Sequence, residues 1–426
     1  MTERFQGERT RKSLQASRML TDYQKQYYGR MTERVRQGEP LIWTNVGSLQ
    51  ELMHAMDLPV LFNVNWSAIL AAKQRSAHYL NVVNDRGYFR DLCRYCVSPL
   101  GYFFENRPEL APWGGVPKPA AIVVEVNCDP IIRVFELMAL ELGIPIYIWD
   151  HTMPEAPPPR DCWADVETIE KENYREGWRL DYAVQEAEGL IAFLETISGK
   201  ALSHAALRRA VELSNEQYEY IGRVLELTKR RPSPIRVGDH WANCISTQFF
   251  RGHEFGLAHA KRLYEEVRWR ADEGVAGYDN ERIRLMHLWA PNWFSPGFYD
   301  SFEEKYGAVF VWTPYFEITQ QWIRRDLSDP LRALASRYVA YTEIGTLPPW
   351  TTYWIPDLTA EYGIDGVLYQ HAESCRMLSG PKLLCLEAIR RAGVPTLNIG
   401  SDYVDDRDWD DAKMKAQVGS FIETLL

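Results

Sequence analysis

Cysteine is the residue type whose spacing in this sequence could support chemistry, and seven cysteines occur among the 426 residues. Cys93 and Cys96 form a C-x2-C pair in DLCRYC, Cys128 lies in EVNCDP, and Cys375 lies in HAESC. Thiolates are ligands of zinc, copper(I) and iron–sulfur clusters rather than of magnesium or calcium. Cys128 and Cys375, with Cys93 or Cys96 as a third ligand, could therefore hold a thiophilic metal centre.

Other interpretations of the thiols stay open at this point. A free cysteine is often a small buried hydrophobe, which is our interpretation of Cys162, Cys244 and Cys385. A C-x2-C pair can also be redox-active or bind zinc. Cys93 does not open a helix directly after a predicted strand, as a thioredoxin-like motif would, and the remaining cysteines are too distant in sequence for a compact zinc finger.

The elements that would position these thiols are short apolar runs rich in β-branched and aromatic residues. The first set is Leu41–Asn45, Val60–Asn63, Ala120–Val126 and Ile144–Trp149, and the second is Leu285–Ala290, Ala308–Thr313, Gly366–Gln370 and Pro395–Ile399. Such runs, separated by helical patterns, are typical of parallel sheets built from βαβ units. Ligands of these sheets bind beyond the carboxyl ends of the strands, and Cys128 and Cys375 each follow a predicted strand.

The sequence thus predicts an α/β protein with two Rossmann- or flavodoxin-like lobes joined by a helical segment. We predict an exposed helical arm over residues 1–36, a first lobe over 37–160, a helical segment over 161–275 and a second lobe over 276–426. The clearest helix begins near Ser203, a favourable N-cap. We find no internal sequence repeat, and the cleft between the lobes is the expected site.

Composition and motifs exclude several functions. The 48 basic and 58 acidic residues give a formal net charge of −10, which argues against a nucleic-acid-binding protein. No apolar run approaches a membrane span and the first residues show no secretory signal, so we expect a cytoplasmic protein without membrane contacts. No phosphate-binding loop, dinucleotide fingerprint, nucleophile elbow or zinc helix is present. Any ATP-dependent step is therefore expected of a partner.

Several stretches, taken in order, resemble the superfamily of 2-hydroxyacyl-CoA dehydratases and ATP-dependent benzoyl-CoA reductases. The resemblance runs from about residue 40 to the C-terminus. It is carried by LIWTNVGSLQELMHAMDLPV, GYFRDLCRYCVSPLG, VNCDPIIRVFELMA, APNW, YGIDGVLYQHAESC, GVPTLNIGSDYVDDR and VGSFIETLL. The RRPSPI and APNW stretches and the length look most like the larger, B-type core subunit of benzoyl-CoA reductase.

The resemblance implies a cofactor, partners and a reaction. In the family, cysteines that match Cys93, Cys128 and Cys375 bind a [4Fe–4S] cluster, which here would lie in the cleft; Cys96 has no counterpart. The resemblance also implies a heterodimer with a related cluster-bearing subunit and a separate ATP-hydrolysing iron–sulfur activator. The implied reaction is one-electron reduction of an acyl-CoA or aroyl-CoA thioester to a ketyl radical.

The sequence departs from the dehydratases of this family in one respect. They place a serine in the first strand-end loop and a glutamate farther along the chain, where this sequence has Thr44-Asn45 and Phe62-Asn63-Val64-Asn65. An acid–base carboxylate is thus not obvious there. This leaves four interpretations: a benzoyl-CoA reductase-like subunit, a 2-hydroxyacyl-CoA dehydratase subunit, a non-catalytic cluster-bearing relay subunit, and a cluster-free α/β protein.

Four further residues are candidates for contacts with substrate. His371, in the same stretch as Cys375, could donate a proton or a hydrogen bond to a cluster sulfur. Asn45 and Asn292 could orient the substrate as hydrogen-bond donors, and Trp293 in APNW could form a wall that excludes water. A structural role is the alternative for each of them.

Overall fold

The computed structural model describes residues 12–152, 177–317, 324–346 and 348–426. Its framework is two four-stranded sheets in which every neighbouring pair of strands is parallel. Helices cover the sheets, and further helices lie between them along the chain. The α/β fold with two parallel-sheet lobes is therefore confirmed.

The strands are β1 (Ile42–Thr44), β2 (Val60–Phe62), β3 (Ala121–Glu125), β4 (Ile146–Trp149), β5 (Ile283–Leu288), β6 (Ala308–Trp312), β7 (Gly366–His371) and β8 (Thr396–Gly400). The α-helices up to β4 are α1 (Gln15–Arg36), α2 (Gln50–Ala55), α3 (Asn63–Ala72), α4 (Ser76–Asp85), α5 (Arg94–Glu105) and α6 (Asp129–Leu142). Those that follow are α7 (Gly177–Ser198), α8 (His204–Thr228), α9 (Val237–Phe249), α10 (Glu254–Asp272), α11 (Glu303–Tyr306), α12 (Pro314–Glu317), α13 (Pro330–Thr346), α14 (Pro348–Glu361), α15 (Arg376–Ser379), α16 (Lys382–Arg391) and α17 (Asp411–Glu423). Short 3-10 helices span Pro108–Leu110, Pro112–Gly114 and Pro296–Phe302.

Each of the eight predicted strands is present, with ends that differ from the prediction by at most two residues. The first sheet is buried on both faces: Ile42 and Val123 lie in one core, and Trp43 and Val124 lie in another. Alternate residues of a strand point to opposite faces, so a strand covered on both sides reads as a continuous apolar run. This is why the runs were recognisable in the sequence.

The two sheets share one strand order, β2-β1-β3-β4 in the first lobe and β6-β5-β7-β8 in the second. In the first sheet the chain adds β2 on one side of β1 and β3 on the other side, so the order of strand addition reverses between β1 and β3. The same reversal occurs between β5 and β7 in the second sheet. A crevice opens at such a switch point, beyond the carboxyl ends of the strands. Cys128 follows β3 and Cys375 follows β7, so each cysteine lies at the switch point of its own sheet.

Over its described residues, 12–36, the N-terminal segment is mostly helical, as predicted, but the prediction that it is exposed was wrong there. One stripe of α1 is buried, including Leu20, Tyr28 and Met31, and the helix packs against α9 and α10. The backbone N–H groups of Gln15 and Ala16 donate to the Glu266 carboxylate at 2.8 and 2.9 Å. Most residues of this segment are polar because they lie on its outer face, so its overall composition did not indicate that one stripe of the helix is buried.

The helical segment consists of α7, α8, α9 and α10 over its described residues, 177–275. Ser203 caps α8 as predicted, because its side chain accepts a hydrogen bond from the Ala206 backbone N–H. The domain boundaries themselves stay a prediction. Among the described residues, no helix combines the length and apolar character that a membrane crossing requires.

Candidate functional site

The three predicted ligand cysteines share one structural position, since each is the N-cap residue of a helix. Cys93 precedes α5, Cys128 precedes α6 and Cys375 precedes α15. The N-terminal end of a helix carries a partial positive charge that stabilises a thiolate. Cys93 is buried, whereas Cys128 and Cys375 are partly buried. The thiols thus come from three loops, two in the first lobe and one in the second.

These thiols lie close enough to influence one another's ionisation. Burial raises the pKa of Cys128 to about 12, and the charge of Cys93 adds to that effect. Burial likewise raises the pKa of Cys375, and the charges of Cys93 and Cys128 raise it further. A hydrogen bond from the Cys96 thiol lowers the pKa of Cys93, and the same bond raises the pKa of Cys96.

Cysteine thiolates are the ligands that iron–sulfur clusters use, so the residue types at these three positions suit such a group. Among the described residues, no three His, Cys, Asp or Glu side chains are grouped as ligands of one metal ion. In a [4Fe–4S] cluster each thiolate binds a different iron, so its ligands lie farther apart than those of one ion. Three thiolates that repel one another also favour a cationic group between them. Ligation by these thiols remains a proposal.

Glu125, at the end of β3, is a buried carboxylate that the sequence analysis missed. It accepts hydrogen bonds from Asn45 Nδ2 at 2.9 Å, Gly47 N at 3.2 Å, Ser48 Oγ at 2.5 Å and Asn127 Nδ2 at 3.1 Å. Burial raises its pKa, against the effect of these hydrogen bonds. Glu125 thus joins the loop after β1 to the loop that carries Cys128. The sequence feature that could have identified Glu125 is its position, as an acidic residue at the end of an apolar run that predicts a strand.

A second network occupies the equivalent place in the second sheet. Gln370, near the end of β7, donates from Nε2 to Asn292 Oδ1 at 2.5 Å, and Ser401 Oγ donates to the same oxygen at 2.8 Å. The Tyr299 hydroxyl donates to Gln370 Oε1 at 2.6 Å. Asn45 and Asn292, both predicted to bind substrate, therefore serve in strand-end networks of opposite lobes. Their role toward substrate stays a prediction.

His371 is the last residue of β7 and turns toward the edge of the sheet. Its Nδ1 lies 2.9 Å from Asn398 Oδ1 in the neighbouring strand β8, and it is paired with Gly400 in the strand register. Burial lowers its pKa, so the ring is neutral at pH 7. Gln370, and not His371, belongs to the Asn292 network. The proposed proton-donor role of His371 stays a prediction.

Ion pairs between the lobes lie beside the cysteines. Arg94, the first residue of α5 after Cys93, approaches Asp405 to 3.2 Å and Asp402 to 3.7 Å, and both aspartates belong to the loop after β8. The Asp405 carboxylate has no exposed surface and is also bound by Arg407 at 2.7 Å. The loop that carries Cys93 is thus held against the second lobe.

A large cavity adjoins this region. Its volume is about 760 Å³, and its walls include α3, α9, Tyr95 of α5 and Trp293. Tyr95 lies in the sequence between Cys93 and Cys96, and its hydroxyl lies 2.9 Å from that of Tyr315. Of the predicted substrate-binding residues, Trp293 lines this cavity and the two asparagines are not among its described lining.

The other cysteines do not join the group described above. Cys385 is fully buried within α16, in the core of the second lobe. Cys244 is buried in α9 and its thiol donates to the Trp241 carbonyl at 3.2 Å. These two match the interpretation of packed thiols. Cys162 lies outside the described residues.

Comparison with known proteins extends over nearly the whole chain. Residues 46–425 match a family described as 2-hydroxyglutaryl-CoA dehydratase, D-component. The (R)-2-hydroxyisocaproyl-CoA dehydratase alpha subunit of Clostridioides difficile is 24% identical over 96% of this chain and 95% of that protein. The B-type subunit of benzoyl-CoA reductase from Thauera aromatica is 27% identical over 93% of this chain and 91% of that protein. The lactoyl-CoA dehydratase alpha subunit of Anaerotignum propionicum is 20% identical over 97% of each chain.

Proposed function

Because the chain belongs to the 2-hydroxyglutaryl-CoA dehydratase, D-component, family, we propose that it is a [4Fe–4S]-bearing core subunit of an enzyme that reduces an acyl-CoA thioester by one electron. The reaction proposed is of the ATP-dependent benzoyl-CoA reductase type. The proposed partners are a related cluster-bearing subunit and a separate activator that hydrolyses ATP. The relatives, which are named as alpha or B-type subunits, support the idea of a partner chain.

One observation carries the proposal: Cys93, Cys128 and Cys375 are each the N-cap residue of a helix, and Cys128 and Cys375 follow the third strand of the first and second sheet. When bound there, the cluster would supply single electrons at low potential. The chain's own residues would hold and shield it. The Arg94 ion pairs would hold the Cys93 loop against the second lobe.

A dehydratase is the second candidate, because three of the relatives are named as 2-hydroxyacyl-CoA dehydratase alpha subunits. Glu125 gives the first lobe a carboxylate near its switch point, but its oxygens are occupied by four hydrogen bonds and it has no exposed surface. Among the described residues lining the cavity there is no Asp or Glu. The absence of an accessible acid–base carboxylate from that lining favours the reductase type.

Metal analysis of anaerobically purified protein tests the cluster assignment. We expect about four irons and four sulfides per chain, and we expect Cys93→Ala, Cys128→Ala and Cys375→Ala each to lose most of them. Cys385→Ala is the matched control, since this thiol is buried in the core within α16 and is not one of the proposed ligands. A wild-type chain that folds without iron, or a Cys385→Ala variant that loses as much iron as the others, would contradict the proposal.

Turnover by the assembled complex separates the two reaction types. With the partner subunit, activator, MgATP and reductant present, the proposal expects loss of the aromatic ring absorbance of benzoyl-CoA. Lactoyl-CoA and 2-hydroxyisocaproyl-CoA should remain unchanged. Conversion of these 2-hydroxyacyl thioesters to enoyl-CoA with benzoyl-CoA untouched would establish the dehydratase instead.

A further inference from the structure

We propose that Asp402 is a positioning residue for the candidate cluster: its carboxylate joins the loop that carries Cys375 to the loop that carries Cys93, and its negative charge keeps the reduction potential low. Asp402 belongs to the loop after β8, which ends where α17 begins. This inference rests on the cluster assignment proposed above. It adds the residue that sets the spacing between ligands from opposite lobes.

The first contact of Asp402 lies beside Cys375. The Ser374 hydroxyl donates to Asp402 Oδ2 at 2.6 Å. Both side chains are shielded from water, since Ser374 is 6% exposed and the Asp402 side chain is also 6% exposed. Ser374 immediately precedes Cys375, the N-cap residue of α15. The hydrogen bond therefore restrains the backbone directly before one proposed ligand.

The second contact lies beside Cys93, in the other lobe. Arg94 Nη1 lies 3.7 Å from the same oxygen atom, Asp402 Oδ2, and Arg94 immediately follows Cys93. The Arg94 side chain is only 18% exposed, so solvent screens this ion pair less than a surface pair. One carboxylate oxygen thus faces residues adjacent to two proposed ligands, which are far apart in the sequence.

The carboxylate is held in place by its own loop. Its other oxygen, Oδ1, accepts hydrogen bonds from the backbone N–H groups of Val404 at 3.1 Å and Asp405 at 3.3 Å. The start of the loop is anchored to the second sheet, because the Ser401 N–H donates to the His371 carbonyl at 2.9 Å. A group fixed in this way can orient the residues that carry the ligands, as the outer partners of metal sites do.

The charge of Asp402 is balanced by arginines at the same place. Arg94 lies 3.2 Å from Asp405, and Arg407 binds Asp405 at 2.7 Å. Neutralising Asp402 would leave two guanidinium groups facing one buried carboxylate. Positive charge near a cluster favours the added electron, and it acts strongly where water is excluded. The ionised carboxylate therefore lowers the reduction potential of a cluster held by these loops.

An electrochemical titration of the iron-loaded full chain, followed by electron-paramagnetic resonance under anaerobic conditions, tests the charge. We expect Asp402→Asn, which keeps the shape of the side chain, to shift the equilibrium toward the reduced cluster about tenfold, or about 59 mV for one electron. Asp408→Asn is the matched control: Asp408 lies in the same loop and 4.0 Å from Arg94, but it is 71% exposed. Its shift should be less than about threefold, because water and salt screen an exposed charge. Equal shifts in the two variants would overturn the inference.

Cross-linking of the iron-free full chain tests the positioning without a cluster. Dibromobimane joins two thiols that lie close together, and mass spectrometry of tryptic peptides identifies the pair. Trypsin cleaves after Arg94, which separates Cys93 from Cys96. We expect the wild-type chain to form a Cys93–Cys375 product. A wild-type chain that forms none would overturn the inference.

The variants identify the contact that holds the loops. We expect Asp402→Ala and Ser374→Ala each to lower the yield of the Cys93–Cys375 product about fivefold, as the loss of one buried hydrogen bond would. Asp402→Asn should give the wild-type yield, because its amide nitrogen can donate to the Ser374 hydroxyl while its oxygen accepts from the loop. Circular dichroism checks that each variant folds. If Asp402→Ala does not fold, Ser374→Ala decides, since it removes the same hydrogen bond from the other loop.

The outcomes separate this inference from the proposed function. Unchanged cross-linking in folded Asp402→Ala and Ser374→Ala variants would overturn the positioning role, even if the chain carries its iron. A wild-type chain that binds no iron but cross-links as expected would remove the cluster assignment and leave the link between the two loops.

Discussion

Glu125 shows how a single buried side chain organises a loop junction. It has no exposed surface, and its four hydrogen-bond donors come from the loop after β1 and from Asn127. An ionised carboxylate accepts hydrogen bonds only, which matches four donors. Because Asn127 immediately precedes Cys128, this junction also sets the course of the backbone into the proposed ligand.

We expect Glu125→Gln to lower the free energy of unfolding by about 2 kcal/mol. The amide nitrogen that replaces one oxygen cannot accept hydrogen bonds, so buried donors lose their acceptor. Urea unfolding measures the change, with Glu136→Gln as the control, because the Glu136 carboxylate is 39% exposed and makes a surface ion pair. If the two variants have the same free energy of unfolding, the Glu125 network contributes no more to stability than the surface ion pair of Glu136.

Some of the residues described at the candidate site could be predicted from residue type and position in the sequence, whereas others depend on contacts between distant parts of the chain. Cys128 and Cys375 were identifiable because each follows a recognisable strand, and Trp293 does line the cavity. The Asn45–Glu125 contact spans 80 residues of sequence. A single sequence holds no signal for such a pair, so the sequence analysis did not identify Glu125 or its contact with Asn45.

The repeated strand order is the main finding at the level of elements. Both sheets follow the order of a flavodoxin-like half, and each places a cysteine after its third strand. No repeat is visible in the sequence, because a parallel strand requires only an apolar run and the helices between strands differ in length. Strand positions were therefore predictable from composition, whereas strand order and the repeated architecture needed the structure.

The contact between α5 and the loop after β8 makes a prediction at this level. We expect Arg94→Gln to lower the free energy of unfolding by about 1–2 kcal/mol, because it leaves the buried Asp405 carboxylate with less compensation. Arg133→Gln is the control: its side chain is 75% exposed, so its ion pair should contribute less than about 0.5 kcal/mol. Urea unfolding measures both. A loss for Arg94→Gln no larger than that for Arg133→Gln would show that Arg407 alone satisfies Asp405.

At the scale of the whole molecule, the proposed cluster connects lobes that are far apart in sequence. Cys93 and Cys128 belong to the first lobe and Cys375 to the second. A ligand that binds only the folded chain stabilises it. If the cluster binds as proposed, the stabilisation would act on the junction between lobes, because its ligands would come from both of them.

Iron removal tests this connection. We expect anaerobic chelation to lower the melting temperature of the wild-type protein by several degrees in calorimetry. The Cys375→Ala variant should melt near the temperature of the chelated wild type and should not respond to the chelator. A wild-type melting temperature that is unchanged after complete iron loss would indicate that the protein contacts, including those of Arg94, suffice to hold the lobes together.

The position of the cysteines also constrains how the protein matures in the cell. Cys375 belongs to the loop after the seventh of the eight strands, so translation supplies it after most of the sequence has left the ribosome. If the three thiols bind the cofactor as proposed, iron insertion must wait until both sheets have formed and met. A chain arrested before Cys375 would then present at most two of the three proposed ligands, so iron binding at this site would require that both lobes have been synthesised.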